Sequence, residues 1–226
     1  MNTKTAILIF ARSAQADAGH KRLRNGVSVF EKLNLQIENT VKKTGLPYFI
    51  YTEDLQRGAD FASRFTNALQ DIYKLGFDNV ISVGNDSPQL TKNHLLTAAE
   101  KLKTCPLVLG PSHDGGFYLM GLSKTHFDAQ SFLNLPWQTA SLTRSILRLV
   151  QAKKIHAELL PALYDLDTSA DVALLLSTAK KLPFQIRKLL VKSAVQKVHL
   201  FSFKSLTAWL FSHPVYFNKG SPLSIA

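Results

Sequence analysis

The sequence predicts an α/β fold built on a mainly parallel sheet, and three observations carry that prediction. Short apolar runs alternate with amphipathic stretches along most of the chain. The first run, Thr5 to Ala11 (TAILIFA), is apolar almost throughout, as a strand buried on both faces should be. Two later runs each lead into a carboxylate, Asp86 and Asp114. In open α/β sheets ligands sit beyond the carboxyl ends of strands, where loops meet helix N-termini. Two strand ends that each carry an Asp therefore mark the rim where a site is expected, and they point to an enzyme.

The elements follow in order. After the first strand, Arg12 to Asn25 is polar, rich in small residues and punctuated by Gly19 and Gly26, and reads as a loop. Val27 to Lys43 forms a helix closed by Gly45, and Leu46 to Thr52 a second strand with Pro47 near its start. Ala59 to Leu75 places Phe61, Phe65, Leu69, Ile72 and Leu75 on one helical face, with Gly76 as the stop. Val80 to Gly84 is the third strand. Thr91 caps a helix running to about Lys103. Leu107 to Gly110 and Phe117 to Leu122 are the fourth and fifth strands, Leu142 to Ala152 a helix, and Ala157 to Pro161 a further short strand. Thr168-Ser-Ala-Asp171 has capping-box spacing and opens a helix through Ala179.

Composition narrows the class. The 226 residues suffice for one substantial domain with an appendage, and 46% hydrophobic with 19% charged residues is a globular composition. The lone Cys105 excludes an intrachain disulfide, fits a reducing compartment and reads as a buried small hydrophobe. The N-terminus lacks the apolar core of a signal peptide, and no apolar run approaches the ~20 residues that span a bilayer, so a cytoplasmic protein is expected. The net charge of +11 is uneven: from Lys180 onward there are eight basic residues and no acidic ones, against 19 basic and 16 acidic before. We expect a domain over 1–180 and a basic C-terminal extension over 181–226. Within the extension, Phe184 to Val198 is basic and amphipathic and Leu200 to Phe211 apolar and aromatic. It packs on the domain as a helical extension, or docks peripherally at the inner face of an anionic membrane. No nucleic-acid motif accompanies the charge, and no specific nucleic acid is expected.

The residues that could carry chemistry each have a plainer reading. Asp86, Asp165 and Asp167 offer the hard oxygen ligands that magnesium or manganese needs, yet Asp also caps turns and helices routinely. Asp114-Gly115-Gly116 lets backbone approach a ligand closely, or makes a hairpin turn. Lys21, Arg22 and Arg24 in the first loop could meet phosphate, or be solvated. The histidines have no zinc-ligand spacing, and no nucleophile elbow supports serine hydrolysis.

Taken together, the segments resemble the GT-A-like nucleotide-diphospho-sugar transferase superfamily. The nearest branch is a small bacterial glycosyltransferase-like family related to phospholactate and molybdenum cofactor guanylyltransferases. Val83-Gly-Asn-Asp-Ser-Pro-Gln-Leu90 is similar to that family's Gly-x-Asp-Cys/Ser-Pro-x-Leu segment. Val108 to Leu122 is similar to its Leu-Gly-Pro-x-x-Asp-Gly-Gly-Tyr-Tyr-Leu-x-Gly-Leu segment. Leu135-Pro-Trp-Gln-Thr139, Asp165-Leu-Asp-Thr168 and Gln56-Arg-Gly-Ala-Asp60 with Arg64 resemble three shorter elements. The likeness covers roughly residues 5 to 178. The first loop departs from the family's Pro-x-x-Gly-x-x-Lys-Thr-Arg-Leu, reading Ala18-Gly-His-Lys-Arg-Leu23.

The resemblance implies a GT-A-like (Rossmann-like) three-layer sandwich with a mainly parallel mixed sheet. It implies a nucleotide sugar or nucleoside triphosphate held by Ala11, Arg12, Lys21, Arg22 and Arg64. Mg2+ or Mn2+ would be bound by Asp86, which with Asp114 is also expected to be catalytic, and Asp167 is the expected second ligand. Asp114, Gly115, Gly116 and Trp137 would shape the side that receives a small-molecule or lipid-linked acceptor. Sugar transfer, nucleotidyl transfer and a catalytically degenerate binding protein are the functions that remain.

Overall fold

A computed structural model describes residues 3–21, 23–178 and 182–194. Six strands form one mixed sheet: β1 (Thr5–Phe10), β2 (Tyr48–Tyr51), β3 (Asn79–Val83), β4 (Leu107–Pro111), β5 (Phe117–Ser123) and β6 (Ala157–Leu159). Their order across the sheet is β2-β1-β3-β5-β4-β6. Only β5 runs against its neighbours, pairing antiparallel with both β3 and β4, while the other pairings are parallel. This is the expected α/β, GT-A-like arrangement.

β1 explains why its run is apolar throughout. Ala6 and Leu8 face one layer of helices, Ile7 and Ile9 the other, and all four are buried. The first layer holds α3 (Phe61–Lys74), α5 (Ala129–Leu133) and α6 (Leu142–Ala152), which bury Phe65, Leu69, Ile72, Phe132 and Ile146 against the sheet. The opposite layer holds α2 (Gly26–Lys42) and α4 (Lys92–Lys101), with Ile37, Val41, Leu95 and Ala98. Asp60 and Thr91 cap α3 and α4 with reciprocal capping boxes. Gly110 allows the close fit of β4 against β5, since a Cβ there would lie 2.3 Å from the Tyr118 ring.

Two local expectations change. The segment read as a loop contains α1 (Ala14–Lys21), because the alanines favour helix and Ser13 Oγ accepts from the Ala16 N–H. Leu75 lies beyond α3 and is 61% exposed, so the apolar face of that helix ends at Ile72 and Tyr73.

A third apolar cluster joins α1 and α2 to α7 (Ser169–Thr178) and α8 (Phe184–Ala194). Ile186 and Leu190 of α8 are buried there, while Phe184 and Val191 stay exposed. The rest of the basic extension, including the aromatic Leu200 to Phe211 stretch, lies outside the described residues. Among the described residues no helix is long and apolar enough to cross a membrane.

Candidate active site

The carboxyl ends of β1, β3 and β4 and the start of β5 open into a cavity of about 840 Å³. One end is charged. Beneath it Asn85 is buried and donates through Nδ2 to Asp17 Oδ2 at 2.7 Å and to Asn34 Oδ1 at 2.6 Å, tying α1 and α2 to the end of β3. Asp86 follows and lines the cavity. The segment before α7 runs past it, with the Leu166 N–H donating to the Asp86 carbonyl at 2.9 Å. The Leu166 side chain is fully buried in the third cluster, and Asp165 and Asp167 on either side of it line the cavity.

Lys21, in the last turn of α1, draws these groups together. Its Nζ lies 2.9 Å from Asp86 Oδ2 and 2.8 Å from Asp167 Oδ1. The lysine side chain is 12% exposed, against 31% and 45% for the two carboxylates, so it is the inner member of the trio. Burial works against its charge, but Asp86 and then Asp167 outweigh burial and hold the ammonium above its ordinary value.

Asp165, offered by the sequence as a hard oxygen ligand together with Asp86 and Asp167, lines the same cavity as Asp167, as alternate residues of an extended chain share a face. It accepts a hydrogen bond from Ser87 Oγ. Burial, reinforced by the charge of Asp86, pushes its carboxyl up to about 8 against the opposing serine hydrogen bonds. Asp17 is also raised by burial, with the Asn85 amide opposing.

The other end of the cavity is aromatic. Phe10, Phe61, Phe117 and Trp137 line it, and Phe65 packs among them. The Trp137 ring centroid lies 5.3 Å from those of both Phe61 and Phe65. Its Nε1 donates to the Phe132 carbonyl at 2.7 Å, so its polar atom is satisfied internally.

The remaining expected residues divide by what they already hold. Ala11 sits at the end of β1, its carbonyl accepting from Gln56 Nε2 at 3.0 Å. Arg12 and Arg64 both line the cavity, but Arg64 also donates to the Gly58 and Ala59 carbonyls at 3.0 and 3.3 Å and so fixes its own loop. Arg22 lies outside the described residues. Asp114 and Gly116 line the cavity within a hairpin turn, where Asp114 Oδ1 accepts from Ser112 Oγ and from the Gly116 N–H at 2.9 Å. Gly115 takes φ +96°, and a Cβ there would lie 2.1 Å from the Ala140 carbonyl oxygen. The turn reading of this stretch therefore holds, with Asp114 and Gly116 on the cavity wall. Asp17, His20, Gln56 and Phe61 also reach the cavity.

Among the described residues no group of three or more His, Cys, Asp or Glu is placed to hold a metal ion. Asp86 and Asp167 supply two hard oxygen donors beside an open cavity, which fits magnesium or manganese completed by water and phosphate oxygens.

Residues 43–139 match a bacterial family. Its description is "Uncharacterized protein conserved in bacteria (DUF2064)". The matched stretch holds Asp86, Asp114 and Trp137, whereas Lys21 and Asp167 lie outside it. No curated protein matches the chain. Among solved structures, a protein from Desulfovibrio desulfuricans G20 assigned as a nucleotide-diphospho-sugar transferase superposes with a TM-score of 0.74 at 19% identity, covering 85% of this chain and 98% of its own. The 4-diphosphocytidyl-2C-methyl-D-erythritol synthase from Anaerococcus prevotii DSM 20548 superposes with a TM-score of 0.52 at 11% identity, covering 76% and 96%. At these identities the likeness establishes the GT-A-like fold.

Proposed function

We propose that this chain is a metal-dependent transferase acting on a nucleotide-activated donor, with a nucleotide sugar as the donor of choice. The observation that carries the reading is the joining of Lys21, Asp86 and Asp167 at one end of a cavity over the strand ends. Positive and negative groups held together there suit a polyphosphate accompanied by a hard cation. The structural neighbours named as a nucleotide-diphospho-sugar transferase and a 4-diphosphocytidyl-2C-methyl-D-erythritol synthase support a nucleotide as the ligand.

Asp86 and Asp167 would hold Mg2+ or Mn2+, which when bound supplies charge neutralisation for the donor and leaving phosphates. Lys21 and Arg12, with Arg22, would add positive charge along the phosphates, while Ala11 and Arg64 border the nucleotide. Asp114, held by the turn at Ser112 and Gly116, would orient the acceptor hydroxyl. Gly115 and Gly116 let backbone approach it, and Trp137 offers a ring face to a small-molecule or lipid-linked acceptor. Nucleotidyl transfer from a nucleoside triphosphate is the second reading, favoured by the 4-diphosphocytidyl-2C-methyl-D-erythritol synthase of the same fold.

A thermal-shift screen of nucleotide sugars and nucleoside triphosphates, with and without manganese, tests the proposal. A ligand bound at 100 times its Kd stabilises by about 2.7 kcal/mol, enough to register clearly. The expected result is a manganese-dependent shift with one donor class, lost in Asp86→Asn. No shift with any donor would instead favour a binding protein that keeps the fold without nucleotide chemistry.

A further inference from the structure

Building on the transferase reading, we infer that Lys21 is an internal counter-ion standing in the metal position of the free protein, so that divalent cation and polyphosphate bind as a pair and neither binds well alone. The Lys21 ammonium is within 3 Å of one oxygen of Asp86 and one of Asp167, the same two carboxylates a divalent cation would need. It is the least exposed of the three groups, and its Nζ also faces the Leu166 carbonyl at 3.5 Å and lies 5.4 Å from the centre of the Phe30 ring. One of the two negative charges of the free site is therefore already balanced from within.

Two independent consequences follow. A divalent cation arriving alone meets a positive charge on its own ligands, and displacing the ammonium into the cavity leaves that ammonium without an anion. The protein also offers that cation two carboxylates and no larger ligand set among the described residues, fewer than a hard cation accepts. A polyphosphate removes both obstacles, since it gives the displaced ammonium new oxygens and completes the coordination of the cation. The lysine thereby becomes a gate: the two carboxylates are released to metal when phosphate takes the lysine. This contact is electrostatic, so a neutral residue at position 21 should separate the two binding events.

Manganese binding to the full-length protein, followed by the electron paramagnetic resonance of the free ion, tests this on the wild type, Lys21→Met and Lys21→Gln. Each is titrated with manganese alone and with manganese plus inorganic pyrophosphate, after correction for the complex formed in solution. The wild type should bind manganese weakly alone and far more tightly with pyrophosphate. Both variants should bind manganese alone on the order of tenfold more tightly than the wild type and lose most of the gain from pyrophosphate. If the wild type shows the pyrophosphate gain but neither folded variant tightens for manganese alone, the gate is wrong and the transferase reading stands. If no form of the protein binds manganese under either condition, both are overturned. The two substitutions differ in polarity, so a folding failure of one leaves the other to decide, and additive binding of the two ligands by the wild type also overturns the gate.

Discussion

The two ends of the cavity are built on opposite principles. At the charged end Lys21, Asp86 and Asp167 are satisfied by one another, through contacts that a ligand can exchange for its own. At the aromatic end Phe10, Phe61, Phe65, Phe117 and Trp137 pack edge and face together, and the Trp137 N–H is committed to a backbone carbonyl. The first region is electrostatically adjustable, and the second is a fixed wall whose shape comes from packing. A site divided this way can rearrange its charge without moving the surface against which a substrate is positioned.

Substitutions at the two ends should therefore fail differently. Trp137→Ala removes a large ring from the aromatic wall and should destabilise the protein by about 3 kcal/mol, read as a lowered denaturant midpoint. Asp86→Asn, by contrast, should abolish the manganese-dependent ligand shift while moving the melting temperature of the ligand-free protein far less. Equal loss of stability in the two variants would erase the distinction between an adjustable end and a fixed one.

The charged end should also reveal itself through pH. Asp165 is pushed up to about 8 in the folded protein, above its ordinary value of 3.8. Between those values the native state holds a proton that the unfolded chain has released, so stability should fall as pH rises through this window and level off above it. Asp165→Asn, a neutral side chain of the same shape, should flatten that slope and be relatively most stabilising at pH 8 to 9. Denaturant midpoints from pH 5 to 9 check this, and a slope unchanged by the substitution would place the titrating group elsewhere. The smallest effect is expected at the edge of the site. Thr168 Oγ1 accepts from the Asp171 N–H at 3.4 Å while Asp171 accepts from the Thr168 N–H at 2.7 Å, so Thr168→Ala should cost about 1 kcal/mol in a thermal melt.

Much of this architecture is legible in the chain. All six strands are read within about two residues of their bounds, because runs of apolar side chains mark them locally. The last, β6, is shorter than its expected span because the ladder ends at Leu159. The cap at Thr91 and the capping box at Thr168 are equally local, since residues three apart decide them. α1 is less legible: Gly19 and a string of small polar residues mask a helix that packs Ala14 and Ala18 into the cluster it shares with α2. The exposure of Leu75 could not be read from helical spacing, because spacing does not show where a helix stops packing.

The sequence by itself determines the alternation of strands and helices, the carboxylates at the strand ends, and the charge imbalance of the C-terminal stretch. These are properties of neighbouring residues, fixed by periodicity and by the backbone preferences of particular side chains. Only the tertiary structure decides that Lys21 bridges Asp86 and Asp167, that Asp165 keeps a raised carboxyl beside them, and that Trp137 lines the same cavity. Each depends on distance through space and on burial, and those arise when the sheet brings distant parts of the chain to one edge.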